Sequence, residues 1–186
     1  MTITYFKRYR MEADLRKLPA HWPPPPPGYH FLPWQEDLLE VHAEVKYLSF
    51  RHEMDAQLFP CFTDPAACRR LMNDIVSRAG FLPGGTWLAA YQREVGGLLE
   101  PCGTIQVIVD SFGEGWIQNV GVVPEHRRRG VGSTLLRYCL TGCAQAGLTK
   151  VHLEVTAENL PALRLYEKVG FFVVRTLFKP AELTFR

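Results

Sequence analysis

The second half of the chain alternates predicted strands and helices, and this alternation limits the folds that it can adopt. Strand patterns cover residues 116–123, 150–156 and 171–178, and helical patterns cover residues 130–146 and 161–169 between them. A helix that joins two strands of one sheet returns the chain in the same direction, so this region requires parallel pairing with right-handed crossovers. The sequence therefore predicts an α/β architecture.

The first half of the chain adds a strand, a proline run and further regular elements. β-Branched and aromatic residues predict a strand at 3–10, and Pro23–Pro27 predict a stiff extended connector, because proline fixes φ and lacks an N–H. Further strands are predicted at 29–34, 86–91 and 103–109, and helices at 36–50 and 65–79. The strands at 86–91 and 103–109 flank a polar, glycine-containing turn and form a hairpin. With 186 residues, the chain is expected to be one domain, with residues 1–28 as N-terminal strand and connector.

A basic loop that contains glycine joins a strand to a helix at residues 120–136. The strand ends at Pro124, the loop carries Arg127–Arg129, and Gly130 and Gly132 open the helix. Glycine lets the main chain approach an anion, and the unpaired N–H groups of a first helical turn point at that anion. Guanidinium groups fit phosphate oxygens, so the segment predicts a pyrophosphate site, with a solvated arginine loop as the alternative.

Other sites with related patterns fit less well. A dinucleotide-binding turn would need a third glycine where the chain has Leu135, and the Gly-Lys-Ser/Thr sequence of a phosphate loop does not occur. Cys139 and Cys143 share a helical face without a second pair of ligands, so core packing is the better interpretation than a metal site. His52-Glu53 begins like a zinc-protease motif, but Ala56 stands where the second histidine would be.

Two motifs together resemble the GNAT superfamily of acyl-CoA-dependent N-acyltransferases. Residues 127–132, Arg-Arg-Arg-Gly-Val-Gly, are similar to its Arg/Gln-x-x-Gly-x-Gly/Ala signature, and residues 159–171 are similar to its Asn…Ala-x-x-Leu-Tyr-x-x-x-Gly-Phe segment. The resemblance covers residues 116–178. It implies a mixed, mainly antiparallel sheet that splays between parallel central strands, with helices on both faces and acyl-CoA in the splay. It also implies an N-acetyltransferase that uses acetyl-CoA and no metal.

The same resemblance assigns the contacts to the coenzyme. The main chain of Val122 and Val123 would pair with the pantetheine arm, and a main-chain N–H near Val123 would stabilise the oxyanion. Asn159 would hydrogen-bond the arm, although it also fits a plain turn or helix cap. The residues expected at the diphosphate are Arg128, Arg129, Gly130, Val131, Gly132 and Ser133.

Two residues are candidates for proton transfer. Tyr166 fits a core tyrosine by its helical spacing, whereas the resemblance makes it the acid that protonates the departing thiolate. An amine acceptor must also lose a proton before it attacks. Glu154, on a strand face with His152, lies twelve residues before Tyr166, a spacing like that in the GNAT branch that acetylates ribosomal proteins. An exposed strand glutamate is the alternative, and Gln118 stands where some relatives carry a basic glutamate.

Composition narrows the partners without naming the acceptor. The net charge of +2 gives no indication of nucleic-acid binding, and the absence of a long apolar run gives none of a membrane span. Five cysteines without a Cys-x-x-Cys spacing favour a reducing, cytoplasmic location. The sequence does not decide whether the acceptor is a small-molecule or a peptide amine, or whether the acyl group is larger than acetyl. It also allows both a monomer and a homodimer. A non-catalytic acyl-CoA sensor is the alternative function, and it would not need an acid at Tyr166.

Overall fold

The computed structural model describes residues 2–183, which form a seven-stranded sheet with five α-helices. The strands are β1 (Thr2–Asp14), β2 (Tyr29–Pro33), β3 (Trp87–Gln92), β4 (Leu99–Val109), β5 (Gly115–Val122), β6 (Lys150–Thr156) and β7 (Phe172–Leu183). The helices are α1 (Leu39–Phe50), α2 (Asp55–Leu58), α3 (Pro65–Val76), α4 (Val131–Gln145) and α5 (Leu160–Val169). The predicted elements are all present, but β1, β4 and β7 extend four or five residues beyond one predicted end, and the sequence did not predict the one-turn helix α2.

The order of the strands is β2-β3-β4-β5-β6-β1-β7, and every neighbouring pair is antiparallel except β5 and β6. The N-terminal strand therefore lies in the C-terminal half of the sheet. Within it, Arg10 pairs with Glu154 of β6 on one side and with Arg175 of β7 on the other. The sequence predicts that β1 is a strand, but not which strands it pairs with. Its partners, β6 and β7, come from the other end of the chain, so their pairing with β1 depends on the tertiary structure.

The sheet opens between β5 and β6. Their parallel pairing covers only two residue pairs, Gly115 with Val151 and Trp116 with His152, after which the strands separate. A β-bulge follows directly in β5, because the register with β4 shifts and leaves Gln118 without a partner in that ladder. A bulge bends its strand and increases the local twist. The expected sheet with a splay between parallel central strands is confirmed.

Helices cover both faces of the sheet because alternate residues of a strand point to opposite sides. Gly103 of β4 faces α4, where an added Cβ would lie 2.9 Å from the side chain of Leu135. The next residue, Thr104, faces α1, and its hydroxyl lies 2.7 Å from His42 Nδ1. α3 packs on α1, and α5 packs on α4. The face beneath α4 is the apolar core, in which Cys139 and Cys143 are fully buried.

A buried polar network lies between α1 and the sheet. Lys46 is completely buried, and its Nζ donates hydrogen bonds of 2.5 Å to Gln106 Oε1 and Asn119 Oδ1. Burial lowers the pKa of Lys46 to about 7, because the ammonium form is disfavoured away from water. Burial and the neighbouring Lys46 lower the pKa of His42 to about 3.

The proline run is an extended connector that lies along α4. No helix or strand covers Pro23–Pro26, and Trp22 anchors the segment by donating from Nε1 to Thr141 Oγ1 at 3.2 Å. At its other end, Pro26 approaches the start of α4, 3.9 Å from the position of a Cβ at Gly130. The connector thus joins β1 to β2 across the surface of α4.

No helix within residues 2–183 combines the length and apolar character that a membrane span requires. In the same range, no three His, Cys, Asp or Glu side chains form a group that could hold a metal ion. The five cysteines are free thiols, and only Cys61 is not fully buried among them.

Candidate active site

Several main-chain N–H groups at the N-terminus of α4 have no hydrogen-bond acceptor in the helix. Gly130 adopts a left-handed conformation, with φ of 85°, and the helix begins immediately after it. Its first intrahelical bond comes from Thr134 N–H, so the three preceding N–H groups have no helical acceptor. They belong to Val131, Gly132 and Ser133. Together with the helix dipole, these groups can bind an anion such as a pyrophosphate.

The three arginines before Gly130 differ in their contacts. Arg127 is hydrogen-bonded within the protein, whereas Arg128 and Arg129 are exposed. Arg127 donates to the carbonyl oxygens of Val122 and Ser49, at 2.9 Å each, and to Glu53, so it fastens the loop to α1. Arg128 and Arg129 are exposed, and Arg128 has a φ of 58°. Only the second and third arginines are therefore available to a ligand at the helix start.

The end of β5 offers one free main-chain donor, and it belongs to Val122 rather than Val123. The N–H of Val123 donates to the Cys102 carbonyl oxygen at 2.9 Å, and the carbonyl oxygen of Val123 accepts from His126 N–H at 3.0 Å. Val122 forms a non-hydrogen-bonded pair with Gly103, so its N–H points away from β4 and towards the splay. The main-chain N–H near Val123 that is free to act as an oxyanion donor is therefore that of Val122, because the strand register commits the Val123 amide to β4.

A cavity of about 220 Å³ lies at the splay, between the separated strands and the α1–α3 side of the sheet. Tyr166 of α5 and Glu154 of β6, which were predicted as an acid and base pair, both line it, as does Gln118 at the bulge. The walls also include Arg8, Asp55 and the phenylalanines at 50, 59 and 62. The structure therefore brings the two predicted proton-transfer residues to one cavity.

Tyr166 is buried, at 9% exposure, with its ring edge against Phe171. Its hydroxyl forms no side-chain hydrogen bond with the part of the chain that the structure describes. Burial raises the pKa of Tyr166, the carboxylate of Asp55 raises it further, and Arg8 opposes both effects. These influences keep the phenol protonated at neutral pH, as a general acid requires.

Glu154 is held at the mouth of the cavity by an ion pair. Its Oε1 lies 3.1 Å from Nη2 of Arg10, its partner in the β1–β6 ladder, and the Arg10 guanidinium lies over the Trp116 ring. The predicted companion on the same strand face, His152, is instead buried, with its Nε2 2.8 Å from Glu114 Oε2. Of these two residues, Glu154 is the one that lines the cavity.

Three predicted coenzyme contacts have local roles as well. Asn159 caps α5, because its Oδ1 accepts from Ala162 N–H at 3.3 Å, which leaves the amide nitrogen to donate elsewhere. Ser133 donates from its hydroxyl to the Gly130 carbonyl oxygen at 2.9 Å. Gly132 lies against α5, where a Cβ would come within 3.2 Å of Leu165.

Sequence reasoning missed a polar cluster on the other wall of the cavity. Arg8 of β1 donates to Thr156 Oγ1 at 2.9 Å, and the Thr156 hydroxyl donates to Asp55 Oδ1 at 3.0 Å. These residues come from β1, β6 and α2, which are far apart in the chain and belong to no motif. No sequence signal could have joined them without the placement of β1 beside β6.

The family comparison agrees with this geometry. The profile of the Acetyltransferase (GNAT) family matches residues 36–171, which is most of the chain. The chain belongs to the GNAT acetyltransferase family. The match extends well before the two motifs and includes α1 and α3, so the region on the α1 side of the cavity is part of the family domain.

Individual relatives of this GNAT protein match it at low identity or over only part of its length. It is 32% identical over 81 residues to the [ribosomal protein bS18]-alanine N-acetyltransferase of Escherichia coli K12, a match that covers 44% of this chain and 53% of that one. The chain spans 34% of the length of another curated relative, the uncharacterized N-acetyltransferase YobR of Bacillus subtilis. The GCN5-related N-acetyltransferase of Sphaerobacter thermophilus superposes with a TM-score of 0.70 at 24% identity, covering 94% of this chain and 50% of that one.

A further solved GNAT structure carries a bound compound. AAC(6')-Iy in complex with the bisubstrate analog CoA-S-monomethyl-acetylneamine superposes with a TM-score of 0.56 at 16% identity, covering 85% of this chain and 97% of that one. At these identities the structural likeness concerns the fold, which is the GNAT fold.

Proposed function

We propose that this chain, acting as one domain over residues 1–186, transfers an acetyl group from acetyl-CoA to an amine through a tetrahedral intermediate. The observation that carries the proposal is the arrangement on the two sides of the splay. Unpaired N–H groups at the start of α4 form an anion site, and Tyr166 and Glu154 line a cavity at the opening of the same sheet.

Acetyl-CoA fits the groups that are free at the loop. Its diphosphate would be held by the N–H groups of Val131, Gly132 and Ser133, beside the left-handed Gly130, and by the exposed guanidiniums of Arg128 and Arg129. The Val122 N–H, which points into the splay, would hydrogen-bond the substrate, and the amide of Asn159 would donate to the pantetheine arm. Val123 would contribute packing alone, since both of its main-chain groups are engaged.

The proposed chemistry needs one proton acceptor and one proton donor. Glu154 takes a proton from the acceptor ammonium, and the amine nitrogen then attacks the thioester carbonyl carbon. The Val122 N–H stabilises the oxyanion, and the carbon–sulfur bond breaks as the intermediate collapses. Tyr166 gives its phenolic proton to the departing thiolate, and its phenolate takes the remaining extra proton from the acetylated nitrogen, so that the products are the neutral amide and the free thiol of coenzyme A.

A non-catalytic acyl-CoA sensor is the less favoured alternative. A sensor would need the anion site at α4, but it would have no use for a protonated, unbonded Tyr166 hydroxyl at the cavity. The family's named relatives include N-acetyltransferases, which also favours catalysis. We infer a cytoplasmic location from the free cysteines.

The test combines coenzyme binding with turnover. Acetyl-CoA at about 100 times its Kd should stabilise the native state by roughly 2.7 kcal/mol and raise Tm by about 5–10 °C. Purified protein with acetyl-CoA and a panel of amines should then release coenzyme A thiol. No change in Tm at millimolar acetyl-CoA would refute the proposed coenzyme site, and binding without turnover of any amine would favour the sensor.

A further inference from the structure

Asp55 occupies a fixed position on the wall of the cavity. Its Oδ1 accepts from the Thr156 hydroxyl at 3.0 Å, and Arg8 Nη1 lies 3.6 Å from the same oxygen. Thr156 itself accepts from Arg8, so the aspartate is held by a chain of two hydrogen bonds from β1 through β6. An oriented carboxylate of this kind loses little conformational freedom when it binds a ligand.

The second carboxylate oxygen of Asp55 is available to a ligand. Within residues 2–183, Oδ2 forms neither a hydrogen bond nor an ion pair, and the side chain retains 21% exposure at the cavity. Glu154 is held in a comparable way, because Arg10 Nη2 lies 3.1 Å from its Oε1, but it is already assigned to proton transfer. Asp55 is therefore the cavity carboxylate that is left to bind an ammonium group.

Arg8 does not offer a matching site for an anion. Its Nη1 donates to Thr156 Oγ1, and its Nη2 donates to the Glu154 carbonyl oxygen at 3.1 Å. Its Nε is buried beyond the reach of solvent. The side chain is 6% exposed, so it serves as an internal support for Asp55.

Three phenylalanines form much of the wall around Asp55, and the Phe59 ring also lies beneath two cations, Lys179 Nζ at 3.8 Å and the Arg8 guanidinium at 5.2 Å from its centroid. Phe50 and Phe62 stack with ring centroids 4.5 Å apart, and Phe59 meets Phe62 at 5.8 Å. All three line the same cavity of about 220 Å³, together with aliphatic side chains from α3 and β5. A volume of this size holds a small organic group, and its apolar walls favour a flat hydrophobic one.

We propose that Asp55 binds the ammonium group of the acceptor, and that the acceptor is a small monocationic amine with a flat apolar body. The ammonium donates to Asp55 Oδ2, and the body packs against Phe50 and Phe62. This assignment deepens the proposed function, because it selects one class among the amines. Asp55 is a specificity-determining residue here, and Glu154 remains the residue that takes the proton.

A charge series of ligands that share a phenylethyl group tests the assignment without turnover. Binding of phenethylamine, 2-phenylethanol and 3-phenylpropionate is measured by calorimetry at pH 7 in the presence of free coenzyme A. The cationic amine should bind at least 10-fold more tightly than the neutral alcohol, since a charged hydrogen bond in a partly buried site is worth about that factor or more. The carboxylate should bind most weakly. Equal affinities, or a preference for the anion, would overturn the proposal.

The variant Asp55→Asn removes the charge and keeps the shape. It should weaken phenethylamine binding by about 10- to 100-fold and leave 2-phenylethanol binding unchanged. Asp37→Asn, at an exposed position outside the cavity lining, is the matched control and should alter neither. Unchanged phenethylamine affinity in Asp55→Asn would show that another group binds the amine.

The outcomes separate this assignment from the proposed function. If acetyl-CoA binds and peptide amines are acetylated while phenethylamine neither binds nor reacts, the acetyltransferase activity stands and the acceptor class is wrong. If phenethylamine binds through Asp55 but no acetyl group is transferred, the amine site stands and the activity is wrong. Because the charge series uses the unmodified chain, the test does not depend on the folding of a variant.

Discussion

The guanidinium of Arg127 lies 2.6 Å from the carboxylate of Glu53, measured from Nη1 to Oε1. This contact, with two bonds to main-chain carbonyl oxygens, fastens the loop before α4 to the α1 side of the sheet. Of the loop's three consecutive arginines, Arg127 is therefore bound within the protein while the other two are exposed. The three identical residues in the sequence do not predict this difference.

Substitutions of these arginines should separate stability from coenzyme affinity. Arg127→Ala should lower the free energy of unfolding by about 1–2 kcal/mol, because carbonyl oxygens lose their donor in a partly exposed site. Arg128→Ala and Arg129→Ala should leave Tm unchanged without ligand and weaken acetyl-CoA by about 3- to 10-fold each. Thermal unfolding and calorimetry measure the two effects. A reversed pattern would mean that the wrong arginines are assigned to the diphosphate.

Tyr166→Phe should separate catalysis from binding. It removes a hydroxyl that no side chain binds and keeps the ring contact with Phe171, so Tm and acetyl-CoA affinity should change little. If protonation of the thiolate limits turnover, kcat should fall by about 10²- to 10⁴-fold. Tyr138→Phe, which keeps its ring stacked on Phe31 outside the cavity, is the control and should retain full kcat. Normal turnover by Tyr166→Phe would make this residue a core tyrosine only.

Glu154→Gln should lower kcat and leave Kd for acetyl-CoA unchanged. The amide cannot accept a proton, so kcat should depend more steeply on pH as the acceptor amine must lose its proton to solvent. The ion pair with Arg10 is partly exposed, and its loss should cost less than about 1 kcal/mol of stability. Glu158→Gln, on the exposed turn after β6, serves as the control. An unaltered pH profile in Glu154→Gln would point to a water path as the base.

The buried Lys46 should give the protein a stability that increases with pH. Its pKa is lowered by burial to about 7 in the folded state and is 10.5 in an unfolded chain, so the unfolded state binds more protons between these values. The free energy of unfolding should rise by about 2 kcal/mol from pH 7 to pH 8.5. Above pH 9, the buried thiols, such as Cys68 with its raised pKa of about 11, act in the opposite direction.

Chemical denaturation at a series of pH values measures this dependence. Lys46→Met should flatten the rise between pH 7 and pH 8.5, while Lys17→Met, at an exposed position, should retain it. Comparison of the variants cancels the contributions of the remaining titratable groups. The same slope in Lys46→Met and in the unmodified chain would show that Lys46 is charged in the folded state.

Three features of the site required the tertiary structure. Whether Val122 or Val123 offers a free N–H depends on the register between β4 and β5, and a shift of one residue exchanges their roles. The place of Asp55 on the cavity wall depends on Arg8 and Thr156, which lie beside it only in the folded chain. His152 has the strand position that its alternation with Glu154 predicts, yet its pairing with Glu114 removes it from the cavity.

The sequence by itself determined the strands and the four longer helices, the glycine loop at the start of α4, the capped helix that carries Tyr166, and the family. These features depend on local periodicity, on the φ freedom of Gly130 and on short motifs, all of which are written in neighbouring residues. Tertiary structure alone decided that β1 lies between β6 and β7, and with it the cavity wall formed by Arg8. The physical reason is that pairing between distant segments depends on the burial of whole surfaces, which no local pattern encodes.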